Sequence, residues 1–244
     1  MDLTVLGCYG PYPPAGGSCS GYLVQEDDYN ILIDCGNGVL SRLQKHIDFR
    51  KLDAVLLSHL HADHFADILI MRYGLEAAYR QGLRKAPLDL YSLPKPASEY
   101  EMLPYKNAYN VIQLEPEQEQ AIGPFKIETT LGVHTIPSLA IRVKTTSSDF
   151  VYSGDTEYWD GLIEFARNTQ LLLCEANYQD LDIPGNLPNH LSASQAAQVA
   201  AGSGAVRLLL THLNPERDTS VSLREARKIY PEAELAREGK TYNI

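Results

Sequence analysis

LLSHLHADHFAD, residues 56–67, sets three histidines and two aspartates directly against the end of an apolar run. The run itself, LDAVLLSH, is short, continuous and apolar, the pattern of a fully buried strand. His59, His61, Asp63 and His64 therefore fall in the loop at that strand's C-terminal end. His59 and His61 are two apart, so on an extended loop their rings project to one side, as two ligands of a single ion require. Asp63 and His64 follow in the turn that leads into a helix, where they can serve a second ion beside the first. Any one of these histidines alone fits a capping or core position. As a unit they do not, because so many ionisable groups beside a buried strand are costly without a partner such as a metal.

Working outward, the N-terminal third holds the β-type runs DLTVLG, GYLVQED and YNILIDCG, separated by the turn segments PYPPAGGS and EDDYN, and reads as an opening meander. VLSRLQKHI and residues 66–82 have helical spacing, and LDLYSL returns to strand. Residues 94–110 are rich in Tyr and Pro and suit either a rim around a site or a structural edge. In the second half, strands are expected at PFKIETT, LAIRVKT, DFVYSGD, QLLLCEAN and AVRLLLTH. SASQAAQVAA reads as a helix, with Ser192 and Gln195 spaced as a capping box. Apolar strands alternating with helices imply a mixed α/β (α+β) fold of sheets covered by helices.

Of the seven histidines, His46 alone lies in an ordinary amphipathic helix pattern. His134 follows KIETTLGV, Asp155 ends FVYSGD and His212 ends RLLLTH, so each stands at the mouth of an apolar strand. Imidazole and carboxylate without thiolate suit zinc, manganese or iron. No G-x-S-x-G elbow surrounds Ser58 or Cys174, which argues against a serine or cysteine nucleophile.

A chain of 244 residues with 44% hydrophobic content and no low-complexity linker suits one domain over 1–244. Cys8, Cys19, Cys35 and Cys174 lie far apart without a CxxC pair and are expected as reduced thiols. MDLTVLGCYG enters a strand at once, without a basic start or a long apolar segment, so a cytoplasmic protein with no membrane partner is expected. A net charge of -10 argues against a broad electrostatic grip on nucleic acid. The local basic groups Arg80, Arg84 and Lys85, and Arg224, Arg227 and Lys228, read as solvated helix faces.

HLHADH resembles the metal signature of the metallo-β-lactamase superfamily, and the later order His134, Asp155, His212 matches its downstream motifs. LGCYG, LIDCGNGVLSRL, SGDT, LLLCEAN, NHLSASQAA and LLLTHLNP resemble, in order and over nearly the whole chain, segments of the ribonuclease Z branch. The resemblance implies a four-layered αββα sandwich with two divalent metal ions, zinc foremost and manganese or iron as alternatives, at one edge of its sheets. It implies that His59, His61 and His134 hold one ion, that Asp63, His64 and His212 hold the other, and that Asp155 bridges them. Glu175 would orient His190 as a general acid, and a homodimer is implied. β-Lactamases of this fold usually carry cysteine in place of Asp155, and flavo-diiron proteins carry glutamate in place of His61, so both readings weaken. The RNA-cleavage and DNA-repair nucleases of the superfamily carry a large extra domain, for which this length leaves no room.

A water between two such ions is acidic enough for in-line attack, and Asp63 can both ligate and take up its proton. The leading expectation is a phosphodiesterase acting on RNA or on a small cyclic phosphodiester. Thioester or lactone hydrolysis is the alternative, and a binding or regulatory protein with a retained metal site is the third reading. Bacterial ribonucleases Z insert a tRNA-gripping arm between the positions matching His134 and Asp155. Here the 20 residues between them are taken up by strand, turn and strand.

Overall fold

The three opening runs pair as their alternation predicts in a computed structural model, which describes residues 1–185 and 189–244. They form β1 (Asp2–Gly7), β2 (Gly21–Glu26) and β3 (Tyr29–Ile33), an antiparallel meander. The chain continues through α1 (Val39–Leu43), β4 (Ala54–Leu56), α2 (Ala62–Phe65), α3 (Ile68–Arg80), β5 (Leu88–Ser92), α4 (Ala97–Tyr100) and β6 (Tyr109–Gln113). From β3 to β6 the pairing is parallel. The second half repeats this plan. An antiparallel series β7 (Glu119–Ile122), β8 (Phe125–Leu131), β9 (Leu139–Lys144) and β10 (Asp149–Tyr152) leads into α5 (Asp160–Phe165), β11 (Leu171–Glu175), α6 (Ala193–Ser203), β12 (Leu208–Thr211), α7 (Thr219–Arg227) and β13 (Glu234–Leu235). From β10 to β13 the pairing is parallel, and β14 (Thr241–Asn243) returns to pair with β1.

The result is two seven-stranded sheets, ordered β14-β1-β2-β3-β4-β5-β6 and β13-β12-β11-β10-β9-β8-β7. Because side chains alternate across a strand, each central strand feeds two cores. Ile31 and Ile33 of β3 join Leu171 and Leu173 of β11 between the sheets. Leu32 packs with Val39 and Met71 beneath the helices of the first sheet, and Leu172 and Cys174 pack with Ala197 and Val199 beneath those of the second. This is the expected αββα sandwich. All four cysteines are buried free thiols. Among the described residues no helix is long and apolar enough to cross a membrane.

Several boundaries differ from the sequence reading, for local reasons. The strand expected over LDAVLLSH stops at Leu56, because the Ser58 backbone N–H donates to the Asp34 carboxylate at 2.8 Å instead of continuing a ladder. The strand expected to run to Asp155 ends at Tyr152, where Ser153 turns its hydroxyl to the Glu175 N–H and Gly154 takes a left-handed φ of 58°. The helix expected over VLSRLQKHI keeps only Val39–Leu43. Residues 94–110 form α4 and the approach to β6, the outer strand of its sheet, which is the structural-edge alternative. The capping box at Ser192 and Gln195 is present in full.

Candidate metal centre

The fold brings the polar residues together because the strands that carry them run the same way and stop at the same edge. His59 follows β4, His134 follows β8, Asp155 follows β10 and His212 follows β12, while Glu175 is the last residue of β11. The short helix α2 begins immediately after His61 and contributes Asp63 and His64.

Three imidazoles form a first group. His61 Nδ1 lies 3.1 Å from His59 Nε2 and 3.1 Å from His134 Nε2. The far nitrogens of the two outer rings are already engaged. His59 Nδ1 is 3.1 Å from the Ser58 hydroxyl, which itself donates to Asp34, and His134 Nδ1 donates to the Asn189 carbonyl at 2.8 Å. Protonated at Nδ1, these rings turn two Nε2 lone pairs toward a single Nδ1, which at best can satisfy one of them. Burial pushes the imidazolium forms of His59, His61 and His134 below the ordinary histidine range, and the neighbouring imidazoles add to this. Neutral rings with converging lone pairs are the form that ligates a cation.

Asp63, His64, Asp155 and His212 form the second group. His212 Nε2 stands 3.1 Å from Asp63 Oδ2 and 3.2 Å from Asp155 Oδ2. His64 Nε2 and Asp155 Oδ1, 3.4 Å apart, are both buried, and neither has a hydrogen-bond partner among the described residues. Buried polar atoms are rarely left so, and an ion between them accounts for both. The donor set of imidazole nitrogen and carboxylate oxygen fits a divalent metal in each group. Burial alone would raise the Asp155 and Asp63 carboxyls, but the imidazoles of His64 and His212 override it and hold both below the usual carboxylate range.

His190 and Glu175 stand beside these groups. His190 Nδ1 donates to both Glu175 oxygens, at 3.0 and 3.2 Å, and its ring lies 5.2 Å from that of His212. Burial would lower the His190 imidazolium, but the Glu175 carboxylate prevails and its pKa is pushed up to about 9. A cavity of about 320 Å³ opens onto the cluster, with Pro11, His61, Asp63, His134 and His190 in its wall. Every site residue expected from the sequence thus lies in one cluster, and His46 lies outside it.

The sequence reading gave no role to Asp34. It is fully buried at a φ of 55° and accepts from His64 Nδ1 at 2.7 Å, from the Ser58 hydroxyl at 2.8 Å and from the Tyr152 hydroxyl at 2.9 Å. It fixes the His64 tautomer that leaves Nε2 free. The available signal was an acid placed directly after the buried run Ile31–Ile33. Gly10 was also missed: a Cβ there would stand 1.9 Å from His212 Nε2.

A family model described as "Beta-lactamase superfamily domain" matches residues 29–213. The chain is similar to the "Probable metallo-hydrolase YhfI" of Bacillus subtilis (strain 168), with 37% identity over 242 residues covering 98% of each chain. The crystal structure of the metallo-beta-lactamase fold protein YhfI from Bacillus subtilis matches with a TM-score of 0.95 and 35% identity, covering 99% of this chain and 98% of that one. The chain is also similar to the ribonuclease Z of Thermoplasma acidophilum, with 26% identity over 305 residues covering 100% of this chain and 96% of that one.

Proposed function

The chain belongs to the beta-lactamase superfamily, as a metallo-hydrolase of its ribonuclease Z-like branch, and we propose that it hydrolyses phosphodiesters with two divalent metal ions, zinc foremost. Asp155 is the observation that carries this reading. Its Oδ2 is 3.8 Å from His59 Nε2 in the first group and 3.2 Å from His212 Nε2 in the second, so one carboxylate faces both. When bound, a metal pair supplies Lewis acidity that activates water and draws charge from a phosphoryl oxygen.

The chain's own residues account for the protons. Asp63, held ionised by His64 and His212, is free to accept a proton from the attacking water. His190, kept protonated by Glu175, is positioned to hold a phosphate oxygen or to protonate the departing one. Such a pair of base and acid suits a diester whose leaving group needs a proton. A ribonuclease or a hydrolase of small cyclic phosphodiesters would use the same arrangement.

The test combines elemental analysis of protein purified without chelator with turnover of bis(p-nitrophenyl) phosphate, cyclic nucleotides, a precursor tRNA and an acyl-thioester. Close to two ions per chain and diester turnover that disappears on chelation are expected. A metal-free preparation that kept full activity would overturn the metal role. Thioester turnover without diester cleavage would favour the acyl hydrolase, and failure on every ester despite full loading would favour a binding or regulatory protein.

A further inference from the structure

The carboxylate of Glu157 belongs to neither ligand group, yet it grips the backbone of Asn189, whose carbonyl binds the first group and which directly precedes the acid. The Asn189 N–H donates to Glu157 Oε1 at 3.0 Å, and the Asn189 carbonyl accepts from His134 Nδ1 at 2.8 Å. His190 is the next residue. Asn189 takes a φ of 87°, a left-handed conformation that is unfavourable for a residue with a Cβ and persists where its surroundings over-determine it. Glu157 is itself tied to the His134 loop, since its N–H donates to the Val133 carbonyl at 2.8 Å. Beside it, Thr156 accepts from the Val133 N–H at 2.9 Å and donates its own N–H to Glu175 at 2.7 Å. The turn that carries Asp155 therefore laces together the His134 loop, the Asn189–His190 segment and Glu175.

We propose that Glu157 is a positioning residue: by fixing the Asn189 peptide it holds His134 in the tautomer that frees Nε2 for the first ion and sets His190 against the cavity from the same turn. Without the carboxylate, the Asn189 peptide relaxes from its left-handed conformation, and the carbonyl that orients His134 moves with it. The first group depends on that carbonyl. The second does not, since His64 is oriented by Asp34. Loss of Glu157 thus weakens one ion selectively. The inference rests on the metal reading of the cluster and is independent of the substrate.

The experiment titrates metal-free parent, Glu157→Ala, Glu157→Asp and Glu157→Gln with Zn²⁺ against a chromophoric chelator. Outer partners of metal-bound histidines are typically worth about 10- to 100-fold in affinity. One of the two sites is expected to weaken on that scale in Glu157→Ala and in Glu157→Asp, whose carboxylate falls one methylene short, while the other keeps its parental affinity. Glu157→Gln retains an acceptor oxygen of the same reach and is expected to bind both ions as the parent does. If the alanine variant fails to fold, the Asp and Gln pair carries the comparison. Parental affinity at both sites in Glu157→Asp would overturn the proposal, as would equal weakening of both sites, which marks a general structural defect. A Gln variant as weak as the Asp variant would overturn the acceptor role. A parent that binds two ions and cleaves no diester would overturn the phosphodiesterase reading alone.

Discussion

His190 and His64 each spend Nδ1 on a carboxylate outside the two ligand groups, Glu175 and Asp34, and differ in what else the ring faces. His64 points Nε2 at Asp63 and Asp155, at 3.6 and 3.4 Å, as a ligand would, whereas the His190 ring lines the cavity beside that of His212. Replacing His190 with alanine is therefore expected to leave the metal content intact and to slow cleavage of a diester with a poor leaving group by about 10²- to 10⁴-fold, the scale of a positioned acid. A His190→Ala variant as fast as the parent on such a substrate would remove the acid from the mechanism. The pH profile gives a second readout. Glu175 raises the imidazolium pKa, and a general acid works only below its pKa. The alkaline limb of the parent should therefore move to lower pH in Glu175→Gln. At this scale the members of the cluster were legible because HxHxDH spacing and the strand-end positions of His134, Asp155 and His212 each carry meaning on their own. Asp34 was not, since its partners Ser58 and Tyr152 stand 24 and 118 residues away in sequence and only the fold brings them to it.

The strands deliver the site by ending at one edge, and loops from elsewhere must then fit around what they deliver. The segment after β1 does so most tightly. Gly10 donates its N–H to the Leu213 carbonyl at 3.2 Å and lies against the His212 ring, where a Cβ would meet Nε2 at 1.9 Å and Cε1 at 2.2 Å. Gly10→Ala must displace either the loop or the imidazole. Because misplacing a reacting group by about 1 Å can cost roughly 10²-fold, the variant is expected to lose activity on that scale. Its metal content should fall toward one ion per chain, with the ion at His59, His61 and His134 retained. A variant that held two ions at full activity would show that the contact is not needed. The long apolar strands and α6 with its Ser192 cap were legible because period and capping are local properties. Where strands stop was less so, since β4 and β10 end when the Asp34 carboxylate and the Ser153 hydroxyl enter side-chain bonds. The short, polar or charged strands β7, β13 and β14 carry little apolar periodicity and take their form from the sheet edges they complete.

As a whole molecule, the chain repeats one plan twice, an antiparallel series followed by parallel strands, and packs the two sheets face to face with the polar cluster at their shared edge. The segment from His134 to Asp155 is built into that packing. β9, β10 and the turn between them occupy most of it, with the strands paired from Lys144 with Asp149 to Ile141 with Tyr152 and the turn closed by the Thr145 N–H donating to the Ser148 carbonyl at 2.8 Å. Nothing there projects as the tRNA-gripping arm of bacterial ribonucleases Z would. Remote contacts are what let an enzyme use the binding energy of a large substrate at the reacting bond. An acidic chain of net charge -10 offers little general attraction to a polyanion in their place. Small or unstructured phosphodiesters are therefore the expected substrates, with kcat/KM for a precursor tRNA no higher than for a simple diester measured at the same salt and metal concentrations. Neutralising the arm's absence would require another grip, from a second copy of the chain or from the Tyr-rich residues 91–109. A precursor tRNA cut at its 3′ side with an efficiency far above that of the simple diester would defeat this expectation and restore the full ribonuclease Z activity to the reading.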